Sequence, residues 1–130
     1  MKITKFEDLN IWRDALALTK EIYDITSTPA FAKDFVLKDQ LRRAIISISS
    51  NIVEGFEKNN NNEFIRFLKI AKGSAGEARN QLHIALVVGY ISKPEFAELT
   101  ERLEKLSNQI GAFISYLEKA RAEKKFIKTR

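Results

Sequence analysis

Apolar side chains recur along this chain at steps of three and four residues, the spacing of one face of an α-helix. No strand-like alternation flanked by hairpin turns occurs anywhere. The pattern predicts four helices. The first spans about residues 8–26, with Leu9, Trp12, Leu16, Thr19, Ile22 and Tyr23 as its stripe. Ser27, Thr28 and Pro29 break it, and residues 27–35 read as a loop. The second spans about 36–57, with Leu37, Leu41, Ala44, Ile48, Ile52 and Gly55 in line. A polar turn rich in asparagine follows. Asn60, three residues before Glu63, is placed to cap a third helix over about 61–90. Its stripe is Phe64, Leu68, Ala71, Ala75, Ala78, Leu82 and Leu86. Ser92, Pro94 and Glu95 make a strong start for a fourth helix over about 93–121. There Phe96, Leu99, Leu103, Leu106, Ile110, Phe113 and Leu117 keep a seven-residue repeat, the signature of a left-handed bundle seam.

Short connections make sequential helices antiparallel neighbours. The expected fold is therefore all-α: one domain over residues 1–130, an antiparallel up-down-up-down four-helix bundle with a left-handed twist. Gly73 and Gly76 fall in the middle of the third helix. Each costs about 1 kcal/mol of helix propensity relative to alanine, so a tight crossing with another helix is expected there.

Two helices carry more apolar surface than one stripe. Ile45, Ile46, Val53 and Phe56 lie off the main stripe of the second helix; Phe67, Ile70, Ile84, Val87, Val88 and Ile91 lie off that of the third. A bundle helix needs to bury only one stripe, and a large apolar patch on a soluble chain marks an interface. Self-association is the simplest expectation, with Ile46, Val53, Ile70 and Val87 as candidate contact residues. Ser47, Asn51 and Glu54 share one face of the second helix. They predict a buried polar network, with Gln40, Arg43 or Arg66 as candidate partners.

Composition changes this picture little. The 130 residues include no cysteine, which removes disulfides, thiolate metal sites and cysteine nucleophiles and fits a reducing cytoplasm. The first ten residues lack the apolar core of a signal peptide, and no apolar run reaches membrane-spanning length. The net charge is +5, but residues 121–130 hold five of the 22 Lys and Arg and one of the 17 Asp and Glu. The body is thus near neutral with a basic tail. Arg42, Arg43, Arg66, Lys69, Lys72 and Arg79, with Lys124, Lys125 and Lys128 of the tail, are candidate contacts to RNA or DNA phosphates. No base-reading motif accompanies them, so such binding would be independent of sequence.

Catalytic groupings are absent from the pattern. A di-iron bundle needs two Glu-x-x-His pairs, and the single histidine, His83, follows Asn80 at that spacing. Ser74 and His83 lie two and a half turns apart on one helix and face different sides, which rules out a nucleophile–base pair. His83 reads as a surface or half-buried helix residue. The expectation is a non-enzymatic protein with no metal or other cofactor.

Several motifs also match a known family. They are Phe6-x-x-Leu9-x-x-Trp12-x-x-Ala15 at the start, then Gln40-Leu41-x-Arg43-Ala44 and Ser47-Ile48-x-x-Asn51-Ile52-x-Glu54-Gly55 in the second helix. In the third they are Glu63-Phe64-x-Arg66-Phe67-Leu68-x-Ile70-Ala71-x-Gly73-Ser74-x-x-Glu77. Together these resemble the four-helix-bundle proteins encoded in intervening sequences of bacterial 23S ribosomal RNA genes. Val53 stands where that family often has alanine, and Ala78 where leucine is common. The resemblance implies a small bacterial cytoplasmic protein without enzymatic activity, forming a ring-shaped homo-oligomer of five subunits. A related branch, the accessory protein of diversity-generating retroelements, binds a reverse transcriptase and nucleic acid through basic surfaces of its ring. A protein–protein adaptor of that kind is the alternative expectation.

Overall fold

The computed structural model describes residues 3–122, with side chains to residue 120. A 3₁₀ turn at Phe6–Asp8 precedes five helices: α1 Asn10–Thr26, α2 Pro29–Lys33, α3 Phe35–Glu57, α4 Asn61–Val87 and α5 Lys93–Ala122. Among the described residues there is no strand. The long helices form a helical bundle in which α3 packs on α1 and α4, and α5 packs on α1 and α4. The diagonal pairs, α1 with α4 and α3 with α5, bring no two α-carbons within 8 Å.

Local chemistry fixes each boundary. At the end of α1, three hydroxyls turn back onto backbone carbonyls of the last turns. Thr26 Oγ1 donates to Ile22 O at 2.7 Å, Ser27 Oγ to Tyr23 O at 2.7 Å and Thr28 Oγ1 to Ile25 O at 2.9 Å. The segment expected as a loop then contains α2, with Pro29 in its first turn, where a missing N–H costs nothing. Its Phe31 is fully buried and packs on Tyr90 with ring centroids 5.1 Å apart. A run this short gave no periodicity to read. Asp34 caps α3, accepting from Leu37 N at 3.0 Å.

Asn59 takes a left-handed backbone (φ 53°) in the turn after α3, a conformation asparagine tolerates. Asn60 then caps α4 as expected, accepting from Glu63 N at 3.0 Å. The fourth long helix starts as expected too: Ser92 N donates to Glu95 Oε1 at 2.8 Å and Glu95 N to Ser92 Oγ at 3.2 Å, a reciprocal capping box. The end of α4 differs from expectation. The helix stops at Val87 and not at residue 90, because Gly89 turns left-handed (φ 85°). Gly89 N then donates to Leu86 O at 3.1 Å and Tyr90 N to Ala85 O at 2.9 Å, closing the helix in a Schellman motif.

The stripes of α3 and α4 are buried as expected, with Leu86 only partly so. In α1 the stripe is offset. Ile11, Ala15, Leu18, Ile22 and Thr26 face the core, while Leu16 is 48% and Tyr23 37% exposed. The seam of α5 holds at Leu99, Leu103, Leu106, Ile110 and Leu117, with Phe96 and Phe113 half-buried.

The expected close crossing at Gly73 and Gly76 is not there. Both glycines are exposed, and a Cβ on either would meet nothing within 4 Å. The close approach of α3 to α4 is at Gly55, whose added Cβ would lie 2.7 Å from Phe67 Cβ. Gly76→Ala is therefore expected to stabilise the chain by about 0.5–1 kcal/mol through helix propensity. Thermal melting followed by circular dichroism checks it, and a lower melting temperature contradicts it.

Candidate self-association face

Of the four candidate contact residues, three stand in the open. Ile46 is 41%, Ile70 43% and Val87 85% exposed, while Val53 is half-buried. Part of the surplus apolar surface is core: Ile45, Phe56, Phe67 and Ile91 are buried. Both helices use a wider face than one stripe because each packs on two neighbours. Ile84 and Val88 remain 42% and 52% exposed.

The pairing of α3 with α4 explains where this surface gathers. Phe56 meets Phe64 beside the connecting turn, with centroids 6.0 Å apart, and Ser47 meets Ser74 farther along. Continuing in that register brings the start of α3 beside the end of α4. Phe35 and Val36, 68% and 78% exposed, thus lie at the same end as Val87 and Val88. A recess of about 360 Å³ lined by Phe35, Val36, Asp39, Gln40 and Arg43 opens there.

The polar network is only partly the expected one. Asn51 Nδ2 donates to Ser47 O at 2.7 Å and to Ser47 Oγ at 2.9 Å, and Ser74 Oγ donates to Ser47 Oγ at 2.9 Å. Glu54 does not join it and stands exposed; Ser74, from the facing helix, takes its place. Gln40 and Arg43 are exposed as well, and Arg66 bonds to Glu63 at 2.8 and 3.3 Å. The network therefore ties α3 to α4 without an ionised group.

Four of the six candidate cations in the helices have partners within the subunit. Arg42 serves the fold: its Nε donates to Thr26 Oγ1 at 2.9 Å, a second nitrogen to Ser27 Oγ at 3.1 Å, and its guanidinium lies 4.2 Å from the Tyr23 ring centroid. A cation there also suits the negative end of the α1 dipole. Arg66 stacks on Phe67 at 4.4 Å, and its hydrogen bond holds the Glu63 carboxyl below the usual carboxylate range. Lys69 lies 3.6 Å from Glu118 and Arg79 3.5 Å from Glu104. Of the six, Arg43 and Lys72 make neither an ion pair nor a side-chain hydrogen bond among the described residues. Lys124, Lys125 and Lys128 lie outside the described residues.

His83 is exposed, edge-on to Phe96 at 4.7 Å. Among the described residues no three His, Cys, Asp or Glu side chains gather as a metal site would need, and no helix is long and apolar enough to cross a membrane.

One polar contact was not legible beforehand. Tyr90 Oη donates to Asp34 Oδ2 at 2.9 Å, joining the turn after α4 to the cap of α3. The Leu37 backbone N–H, and then the Tyr90 hydroxyl, hold the Asp34 carboxyl below its ordinary value. A carboxyl lowered in the folded state favours folding above its unfolded pKa and loses that contribution as pH falls through the folded value. Tyr90→Phe is expected to flatten the acid side of the stability–pH curve. Urea denaturation across the acid range measures it; an unchanged slope contradicts the assignment.

The architecture defines a class, a helical bundle with large apolar side chains exposed on its long helices. The family model of the 23S rRNA-intervening sequence protein matches residues 7–112, and the chain belongs to that family. A crystal structure from the S23 ribosomal protein family of Bacteroides thetaiotaomicron, described as a protein with unknown function, superposes with a TM-score of 0.73. It is 22% identical, and the match covers 80% of this chain and 97% of that one, a likeness of fold. No curated protein matches the chain significantly.

Proposed function

We propose that this chain is a non-enzymatic assembly module, cytoplasmic and bacterial, that associates with copies of itself through the outer faces of α3 and α4. The observation that carries this is the exposure of Ile46, Ile70, Ile84 and Val87 on two neighbouring helices. A large exposed apolar patch is uncommon on a chain that stays alone. The resemblance to intervening-sequence proteins supports a closed ring of about five copies. We read the scaffold as an up-down-up-down bundle with a left-handed twist. Support comes from the contact Phe56–Phe64 between α3 and α4, the ion pair Arg102–Glu21 between α5 and α1, and the seven-residue seam of α5. Light scattering at micromolar concentration is expected to give a mass several times that of one chain. A strict monomer overturns the reading.

Contact with nucleic acid is a second reading. It rests on Arg43, Lys72 and the basic tail, since Arg66, Lys69 and Arg79 are already partnered. Neutralising few phosphates gives a shallow dependence on salt. Binding to a random RNA duplex is expected to weaken with salt at a slope of about two to five phosphates; no salt dependence rules it out. An adaptor for another protein, such as a reverse transcriptase, would use the same apolar face. Co-purification of a stoichiometric foreign chain would favour it.

A further inference from the structure

We propose that the recess between the start of α1 and the second half of α5 binds a small organic cation: a primary ammonium group carried on an apolar body about the size of an aromatic ring.

The recess holds about 560 Å³, within the range of small-molecule sites. Ile3, Ile11, Phe113 and Tyr116 give it apolar walls, and Asp8 and Gln109 give it polar groups. Gln109, Phe113 and Tyr116 step by four and three along α5, so they share one face of that helix. Asp8 ends the 3₁₀ turn Phe6–Asp8, which sets it at the start of α1. The outer faces of α3 and α4 take no part, so the proposal stands apart from the self-association reading.

The lining selects a positive charge. Asp8 is exposed, and its carboxylate makes no ion pair among the described residues. Phe113 and Tyr116 set their rings at 89° with centroids 6.2 Å apart, a corner whose ring faces attract a cation. Elsewhere on the chain such faces are already taken. Lys38, Arg42 and Arg66 lie over the rings of Phe35, Tyr23 and Phe67 at 4.6, 4.2 and 4.4 Å. No cation among the described residues lies over Phe113 or Tyr116. Gln109 adds a demand for a donor. Its Oε1 is buried and accepts no hydrogen bond among the described residues. A buried acceptor without a donor is costly, and an ammonium N–H brought into the recess supplies one.

An anion is the competing occupant. The start of α1 is the positive end of its dipole, and Leu9 at the cap has no side-chain acceptor. Asp8 already places a negative charge there, however, and repels a second one. Arg13 bonds to Asn10 Oδ1 at 2.6 Å on the rim, which keeps the preference for a cation moderate.

The test titrates the full chain with phenethylammonium, phenethyl alcohol and hydrocinnamate, which share a ring and differ in charge. Shifts of the Gln109 side-chain amide in nitrogen–proton NMR spectra report binding at the recess itself. The ammonium is expected to bind about tenfold more tightly than the alcohol, the combined scale of an exposed ion pair and a cation–π contact, and hydrocinnamate is expected to bind least. The trimethylated ammonium, which keeps the charge but has no N–H to give, is expected to bind more weakly than the primary one. Asp8→Asn is expected to remove most of the preference for the ammonium over the alcohol while the melting temperature stays unchanged. Tyr116→Leu is expected to reduce that preference about threefold. Equal affinity for the alcohol, tighter binding of hydrocinnamate, or a preference that survives Asp8→Asn overturns the proposal. So does a Gln109 amide signal that stays in place at saturation. A trimethylated probe that binds as tightly as the primary ammonium overturns the part given to Gln109.

Discussion

Replacing Phe31 with alanine is expected to destabilise the fold by about 3–5 kcal/mol, the range for removing a buried aromatic ring. The reason lies in how little else holds α2. Five residues cannot sustain a helix in water, because nucleation costs more than one or two hydrogen bonds return. Pro29 sets the first turn and Lys38 Nζ donates to Ala32 O at 3.3 Å. Phe31 alone in α2 is buried, completely, with Tyr90 against its ring. Tyr90 in turn bonds to Asp34, which caps α3. Losing the ring opens a void under a segment that ties α1, α3 and the end of α4 together. Urea denaturation measures the cost. A loss below about 1 kcal/mol would mean that α2 can peel away while the bundle stays intact, and the anchoring role would be wrong.

The sequence made the bundle visible because its long helices bury strong, regular stripes. It was less informative where two stripes compete on one helix. In α1 the larger apolar side chain of Leu16 outweighs Ala15 in a hydropathy reading, yet Ala15 is the one fully buried. The core there selects for size as well as polarity, and a small residue carries little apolar signal. The network at Ser47 failed in a similar way. Spacing put Glu54 beside Ser47 and Asn51, but spacing along one helix says nothing about the opposite helix, which supplied Ser74. Among the candidate phosphate contacts, Lys69 and Arg79 were visible but their acids were not. Glu118 and Glu104 reach Lys69 and Arg79 from α5, far away in sequence. The end of α4 was legible in principle, since a glycine followed by an aromatic after an apolar run is the mark of a left-handed helix stop. The exposed apolar faces were the most readable part of the candidate site, because no packing within one subunit could use them all.

The glycines test this account with opposite signs. Gly55→Ala is expected to destabilise by about 1–3 kcal/mol, the usual cost of forcing an extra carbon into a packed core. Helix propensity pulls the other way by up to about 1 kcal/mol, so the geometry must decide. The new Cβ would sit 2.7 Å from Phe67 Cβ and 3.1 Å from Phe64 Cδ1. The Phe64 ring can rotate away. The Phe67 Cβ cannot, because it is bonded directly to the backbone of α4. Relief therefore requires α3 and α4 to separate, and every side chain along that interface shares the displacement. Gly76 sits on the same helix pair with open space around its α-carbon, so there only the propensity term remains. Equilibrium denaturation of both alanine variants should move the midpoint down for Gly55 and up for Gly76. Movement in the same direction would show that the tight crossing is not at Gly55.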